Sequence, residues 1–97
     1  MGHFLLFYTL AEDYLERRLV HREAHLKLAW ESADRGDLLL GGALADPADR
    51  AVLLFASREA AEAFATSDPY VANGLVTAWE VRGWTTVVGT EAATPVR

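Results

Sequence analysis

The sequence of 97 residues is 52% hydrophobic and 10% aromatic, which is typical of one globular domain and excludes a disordered chain. The net charge of −5 and the absence of any run among the nine Lys and Arg residues argue against a nucleic-acid partner. The chain contains no cysteine, which excludes a disulfide, a thiol nucleophile and a thiolate metal site.

The N-terminal sequence lacks a basic region followed by a long apolar stretch. Its apolar run at residues 4–8 is far too short to cross a bilayer. We therefore expect a cytoplasmic protein with no membrane partner.

The first predicted strand covers residues 3–10, a nearly continuous apolar run that is typical of a central strand buried on both faces. Asp13 follows as a helix N-cap, with Glu16 at the capping-box spacing. The hydrophobic period is helical from residue 14 to about residue 35, and Gly36 is placed to end that helix.

One stripe of this helix is apolar and is expected to face the core. It consists of Leu15, Leu19, Leu26, Trp30 and Ala33. His25 lies on the shoulder of the stripe. Arg22 lies inside its edge, from where a long side chain can still reach solvent.

A second predicted strand covers residues 37–44 and a third covers residues 51–56, and the turn between them predicts a hairpin. Gly41 and Gly42 interrupt the second strand, which indicates a bulge or a close approach of another group to the backbone. This glycine pair does not resemble a phosphate loop, because the spacing, the lysine and the following helix are missing.

Ser57 is placed to cap a second helix at residues 58–66. Pro69 disfavours helical angles at Asp68 and can itself open a new helical turn. Asp68 therefore falls at the N-cap of that turn, with its carboxylate facing free amides. The Asn-Gly pair at residues 73–74 closes the turn, since both residue types tolerate positive φ.

The last predicted strand runs from residue 75 to residue 88, with a kink at Gly83. Trp79 and Trp84 on this strand are expected at a dimer interface rather than in a ligand pocket. The chain is expected to form a single domain at residues 1–88, followed by a C-terminal tail at residues 89–97.

The elements follow in the order strand, helix, strand, strand, helix, strand. This order predicts an α+β fold of the ferredoxin-like type (βαββαβ), an antiparallel sheet with both helices on one face. Because the strands are apolar on both sides, the open face needs a partner, and we expect a second copy of the chain, that is, a homodimer.

Three segments resemble the YciI-like, or YCII-related, proteins: Arg22-Glu23-Ala24-His25-Leu26, residues 36–44 and residues 68–75. The resemblance spans about residues 3–84 and implies a dimeric α+β barrel, in which two ferredoxin-like sheets pack face to face. It also implies a catalytic dyad of His25 and Asp68 beside a small pocket. Arg22 matches the family pattern as well, and we expect Arg22 and Tyr70 to bind the substrate.

A histidine beside a buried carboxylate suits general acid–base catalysis near neutral pH. Because no Ser or Cys nucleophile accompanies His25 and Asp68, the pair predicts proton transfer by an isomerase or lyase rather than acyl transfer. We expect a small-molecule substrate and no cofactor. The alternative is a non-catalytic dimer that binds a metabolite or another protein, and the sequence leaves both interpretations open.

His21 and His25 are four residues apart, so both could bind one metal ion from the same helix face. The glutamate between them is not at the metalloprotease position, and Arg22 disfavours a cation there. We therefore expect no metal site.

Overall fold

The computed structural model describes residues 2–97, so Met1 of the predicted domain lies outside the described residues. The elements are β1 (His3–Leu10), α1 (Tyr14–Asp34), β2 (Leu38–Ala43), β3 (Arg50–Phe55), α2 (Arg58–Ser67), α3 (Pro69–Ala72) and β4 (Val76–Trp84). The strands form one antiparallel sheet in the order β2-β3-β1-β4. The predicted ferredoxin-like fold is confirmed, with β1 in a central position.

The core lies between the sheet and the helices. The inward face of the two central strands supplies Leu6, Tyr8, Leu10, Ala51, Leu53 and Phe55. Helix α2 contributes Phe64 together with Ala61 and Ala65, two fully buried alanines whose small side chains allow the helix to lie close to the sheet. The outward side chains of β1, such as Leu5 and Phe7, are half-buried within the single chain, so their full burial stays a prediction.

Helix α1 turns a different side to the core from the one predicted. Leu15, Leu19 and Trp30 of the predicted stripe are 53%, 75% and 66% exposed. The covered side is instead centred on Tyr14 and Ser32, both of which are buried. These two residues are separated by a whole number of helical turns and lie beside the apolar stripe rather than within it. The periodicity revealed a stripe, but packing against the sheet decided which side is covered.

The ends of the helices follow the predicted local chemistry, with one exception. Ser57 Oγ accepts a hydrogen bond of 3.1 Å from the backbone amide of Ala60, and Gly36 ends α1 with a φ of +85°. Asp13 occupies the N-cap position of α1, but its side chain makes no capping bond, so the predicted capping box is absent. Its carboxylate instead lies 3.6 Å from the guanidinium of Arg17.

The glycine pair of β2 marks a close approach rather than a bulge. The irregularity in the register of β2 against β3 falls between Leu38 and Leu40, before the glycines. A Cβ atom at Gly41 would lie 3.2 Å from the side chain of Leu53, whereas at Gly42 it would meet open space. Glycine at position 41 therefore lets β2 lie close to the inward side chain of β3.

The last strand ends at Trp84, so its predicted continuation to residue 88 is wrong. Two residues beyond the strand, Thr86 is buried, and its Oγ1 atom lies 2.7 Å from Nδ1 of His3. The same hydroxyl accepts a bond of 2.8 Å from the backbone amide of Ala93, which folds the tail back on itself.

The outer face of the sheet carries no helix and is apolar over its middle. Its apolar side chains are Leu5, Phe7, Leu40, Val52, Leu54 and Trp84. On β4, Arg82 and Glu80 lie on the same face, opposite Leu5 and Phe7. Trp84 is opposite His3 on this face, whereas Trp79 is opposite the inward-facing Tyr8. Only one of the two tryptophans therefore belongs to the open face. No helix within residues 2–97 has the length and apolar character needed to span a membrane.

Candidate functional site

Asp68 is a carboxylate held at the start of a short helix inside the protein. Its backbone is extended, with φ −72° and ψ 123°, as expected before Pro69, and this ends α2 and begins α3. The side chain caps α3 by accepting a bond of 3.0 Å from the backbone amide of Tyr70. Asp68 is 1% exposed, so capping alone does not explain its position, because most caps lie at the surface.

Two further donors reach the same carboxylate from distant parts of the chain. The Tyr8 hydroxyl donates to Oδ2 at 2.7 Å, and Nδ1 of His25 lies 2.8 Å from Oδ1. Because an ionised carboxylate can only accept, Nδ1 of His25 carries the proton in this pair. The second ring nitrogen, Nε2, therefore remains available to a ligand. The contact expected between His25 and Asp68 is present, although 43 residues separate them.

The ring of His25 is fixed by its neighbours. It stacks on the ring of Tyr70 with centroids 3.8 Å apart and an angle of 5°, and the ring of Phe64 lies edge-on at 6.0 Å. The His25 side chain is 15% exposed, so it is largely shielded and still reachable. Elements α1, α2, α3 and β1 thus meet at one imidazole and one carboxylate, which is an arrangement that can hold and transfer a proton.

His25 opens onto a cleft of about 370 Å³ between α1 and the sheet. This volume is within the range of small-molecule sites. The lining includes Arg18, Arg22, Tyr70, Tyr14, Leu26, Trp30, Leu39, Leu40, Gly41 and Gly42. The cationic side chains of the lining come from α1, and no aspartate or glutamate lines the cleft. The cleft is therefore cationic in a chain with a net charge of −5.

The predicted substrate-binding residues both line this cleft. Arg22 is exposed, and the hydroxyl of buried Tyr70 has no hydrogen-bond partner among residues 2–97. Arg18 was missed in the sequence reading, although it also lines the cleft and its buried Nε has no partner in the described part of the chain. Its position one turn before Arg22 on the same side of the helix could have identified it.

The pKa of Tyr70 is raised. Burial is the main cause and the neighbouring Tyr14 adds to it, while the positive charges of Arg22 and Arg18 act in the opposite direction. The Tyr70 hydroxyl therefore keeps its proton near neutral pH and can donate a hydrogen bond into the cleft.

The two histidines of α1 have different surroundings. His21 does not line the cleft, and Nδ1 of His25 is bonded to Asp68. Across residues 2–97, no group of three or more His, Cys, Asp or Glu side chains could hold a metal ion.

The hydrogen bond from Tyr8 to Asp68 predicts a pH-dependent stability. Burial, the charge of Asp68 and the hydrogen bond to it raise the pKa of Tyr8 above its unfolded value of about 10. Its contribution to stability is complete below about pH 10 and falls as the pH rises further, because only the unfolded chain then loses the proton. For Tyr8→Phe we expect a loss of about 1.5–3 kcal/mol at pH 8. This difference from the native protein should narrow by about 1.4 kcal/mol per pH unit above pH 10.

Urea unfolding of both proteins at pH 8, 9, 10 and 11 measures this difference. A loss on Tyr8→Phe that stays constant up to pH 11 would contradict the role given to the Tyr8 proton.

The family described as the YCII-related domain matches residues 1–85. A solved structure of 5-chloro-2-hydroxyhydroquinone dehydrochlorinase from Burkholderia phenoliruptrix, in complex with 2,5-dihydroxybenzoquinone, is similar with a TM-score of 0.70. The similarity covers 87% of this chain and 94% of that one at 21% sequence identity, which shows a common fold. No curated protein matches. The family match extends over most of the sequence, and the chain belongs to the YCII-related domain family.

Proposed function

We propose that this protein is a small-molecule enzyme in which His25 transfers a proton and Asp68 orients it, in isomerase- or lyase-type chemistry. The observation that carries the proposal is the 2.8 Å contact between Nδ1 of His25 and Oδ1 of Asp68 at the wall of the cleft. That contact leaves Nε2 as the nitrogen that faces a ligand. The expected cytoplasmic location stays a prediction from the sequence.

In the proposed reaction, Nε2 of His25 removes a proton from a carbon or oxygen atom of the substrate. The bond electrons stay on the substrate, where Arg22 stabilises the negative oxygen that forms. Asp68 stabilises the imidazolium that carries the proton. An isomerase then returns the proton to another atom of the substrate, whereas in a lyase the electron pair expels a leaving group.

The dehydrochlorinase similar in fold supports the lyase form of this proposal. Its name describes removal of HCl, a reaction that needs a group to take the proton while chloride leaves with the bond electrons. The bound dihydroxybenzoquinone indicates a ligand of the size that the cleft of this chain can hold. We therefore propose a compact ring or hydroxylated molecule as the substrate.

The proposal is tested with purified native protein and its His25→Gln variant. Chloride release from 5-chloro-2-hydroxyhydroquinone and solvent deuterium incorporation into a panel of cyclic hydroxyketones are the two readouts. Turnover that depends on His25 supports the proposal. Binding of these compounds without any turnover, or equal turnover by both proteins, would favour the non-catalytic metabolite-binding alternative.

We also propose that the protein works as a homodimer joined through the outer face of the sheet. This face is apolar across β1, β2 and β3 and carries Glu80 and Arg82 only on β4. Leu40 on it is 74% exposed, and Trp84 is 50% exposed. A second copy would remove this apolar surface from water.

Sedimentation at low micromolar concentration should give a mass near twice 10.7 kDa. Leu40→Lys should shift the protein to monomer, because two charges would be buried in the joined faces. Leu19→Lys is the matched control, since Leu19 is equally exposed, at 75%, but lies on a helix across the sheet. A folded native monomer at this concentration would contradict the dimer.

A further inference from the structure

Two buried polar groups in the wall of the cleft have no partner within the part of the chain that the structure describes. One is the hydroxyl of Tyr70, a residue that is 2% exposed, and the other is Nε of Arg18. A buried donor without an acceptor destabilises a protein, so such groups usually have a partner. Both donors line the same cleft, which is the place where a ligand can supply the missing acceptor.

The surroundings of these donors favour an anionic acceptor. On the exposed side of α1 and just beyond it, Lys27 lies 3.8 Å from Glu31, and Arg35 lies 3.2 Å from Asp37. Within residues 2–97, Arg18 has no carboxylate within ion-pair distance. Its guanidinium instead lies 5.4 Å from the centre of the Tyr14 ring, which leaves its charge unneutralised beside the cleft.

The rest of the cleft is apolar and open. Leu26 and Trp30 extend the wall formed by α1, and β2 lies across from them. Gly41 of β2 lies opposite the inward-facing Leu53 and has no side chain, so the strand adds only backbone to the cleft at that point. A ligand that fits both the unpaired donors and the apolar walls of the cleft has one anionic oxygen and a compact apolar body.

We infer that Arg18 and the Tyr70 hydroxyl form a binding subsite for an anionic oxygen, of the carboxylate or phenolate type, on a compact apolar molecule. The inference rests on the proposed function in that this molecule is the substrate whose proton His25 transfers. Tyr70 then has two roles: its ring supports the imidazole of His25, and its hydroxyl donates to the ligand. Arg18 and Tyr70 select the substrate, while Arg22 is left to stabilise charge that develops during the reaction.

Benzoate and its neutral analogue benzamide are the probes, and their binding is followed by amide chemical shifts during NMR titration of the native protein. We expect benzoate to bind more tightly than benzamide. Arg18→Gln and Tyr70→Phe should each weaken benzoate binding by about 10-fold or more, since each removes a hydrogen bond to a charged group. The affinity for benzamide should change little. The preference for the anion should therefore disappear in both variants.

Lys27→Gln is the matched control, because it removes the same charge from the same helix at a side chain that is 77% exposed and outside the cleft. It should leave the preference for benzoate unchanged.

The melting temperature of Tyr70→Phe should equal or exceed that of the native protein, because the change removes only an unpaired hydroxyl. A lower melting temperature would indicate a structural role for that hydroxyl and overturn its assignment to the ligand.

The two proposals fail in different ways. If benzoate is not preferred by the native protein, or is still preferred after Arg18→Gln, the anion subsite is overturned whether or not the protein is an enzyme. If the preference depends on Arg18 and Tyr70 while His25→Gln changes no turnover, the subsite stands and the proton-transfer function is overturned. Benzoate should still bind to His25→Gln, since anion recognition does not require a proton to move. This measurement therefore tests the anion subsite separately from the proton-transfer function.

Discussion

Asp68→Ala is expected to lower the free energy of unfolding by about 3–5 kcal/mol, because each buried donor left without an acceptor costs about 1–3 kcal/mol. The change leaves three donors without an acceptor: the hydroxyl of Tyr8, Nδ1 of His25 and the amide of Tyr70. It also removes a buried side chain for which water cannot fully substitute, since Asp68 is 1% exposed. Urea unfolding at neutral pH, followed by circular dichroism, measures the loss.

Two control variants separate the buried network from simple helix capping. Ser57→Ala removes a cap that has no other role, and should cost about 1 kcal/mol. Asp68→Asn keeps the shape, and its oxygen can still accept from the amide of Tyr70 and from His25. We therefore expect it to cost about 1–3 kcal/mol. If Asp68→Ala costs no more than Ser57→Ala, Asp68 is a helix cap and nothing more.

His25→Gln is expected to lower kcat by roughly 10²–10⁴-fold on any substrate identified by the assays above, the usual contribution of a general acid–base group. Glutamine is similar in length and polar, but its amide cannot take up a proton near neutral pH. KM should change by much less, since the donors of Arg18 and Tyr70 remain in the cleft. Steady-state kinetics of the two proteins on the same substrate separate these quantities.

His21→Gln is the matched control for this prediction. His21 lies one turn earlier on α1, is half-buried and does not line the cleft. The same substitution there should leave kcat within about twofold of the native value, as for most changes outside a reacting site. A fall in kcat that is equal in both variants would indicate disturbance of α1 rather than loss of a catalytic group.

The local backbone chemistry of the chain was readable without a structure. Pro69 required extended angles at the preceding residue, and Asp68 has a ψ of 123°. Ser57 caps the start of α2 with its hydroxyl, as predicted. Gly36 ends α1, as predicted from its lack of a side chain. These features depend on a few neighbouring residues. Asp13 shows the limit, since its carboxylate pairs with Arg17 instead of capping the helix.

The direction in which α1 faces could not be read from its own sequence. The predicted stripe is exposed at Leu19 and Trp30, while Tyr14 is buried and forms an edge-on contact with Tyr70 of α3. Hydrophobic periodicity reports an apolar side of a helix, but not whether the sheet, a ligand or a second chain covers it. Part of the exposed stripe lines the cleft, so its apolar character is explained by the site rather than by the core.

By itself, the sequence determined the order of elements, the fold class and the cap at Asp68, because these follow from period, turn residues and backbone sterics over short stretches. The pairing of His25 with Asp68 was expected from a family resemblance and not from the spacing of the residues. Only the tertiary structure decided that the Tyr8 hydroxyl, 60 residues away, shares this carboxylate. It also decided that Arg18 and the hydroxyl of Tyr70 are left unpaired in one cleft. Burial and the partners of a polar group depend on segments far apart in the chain, which meet only when the helices pack on the sheet.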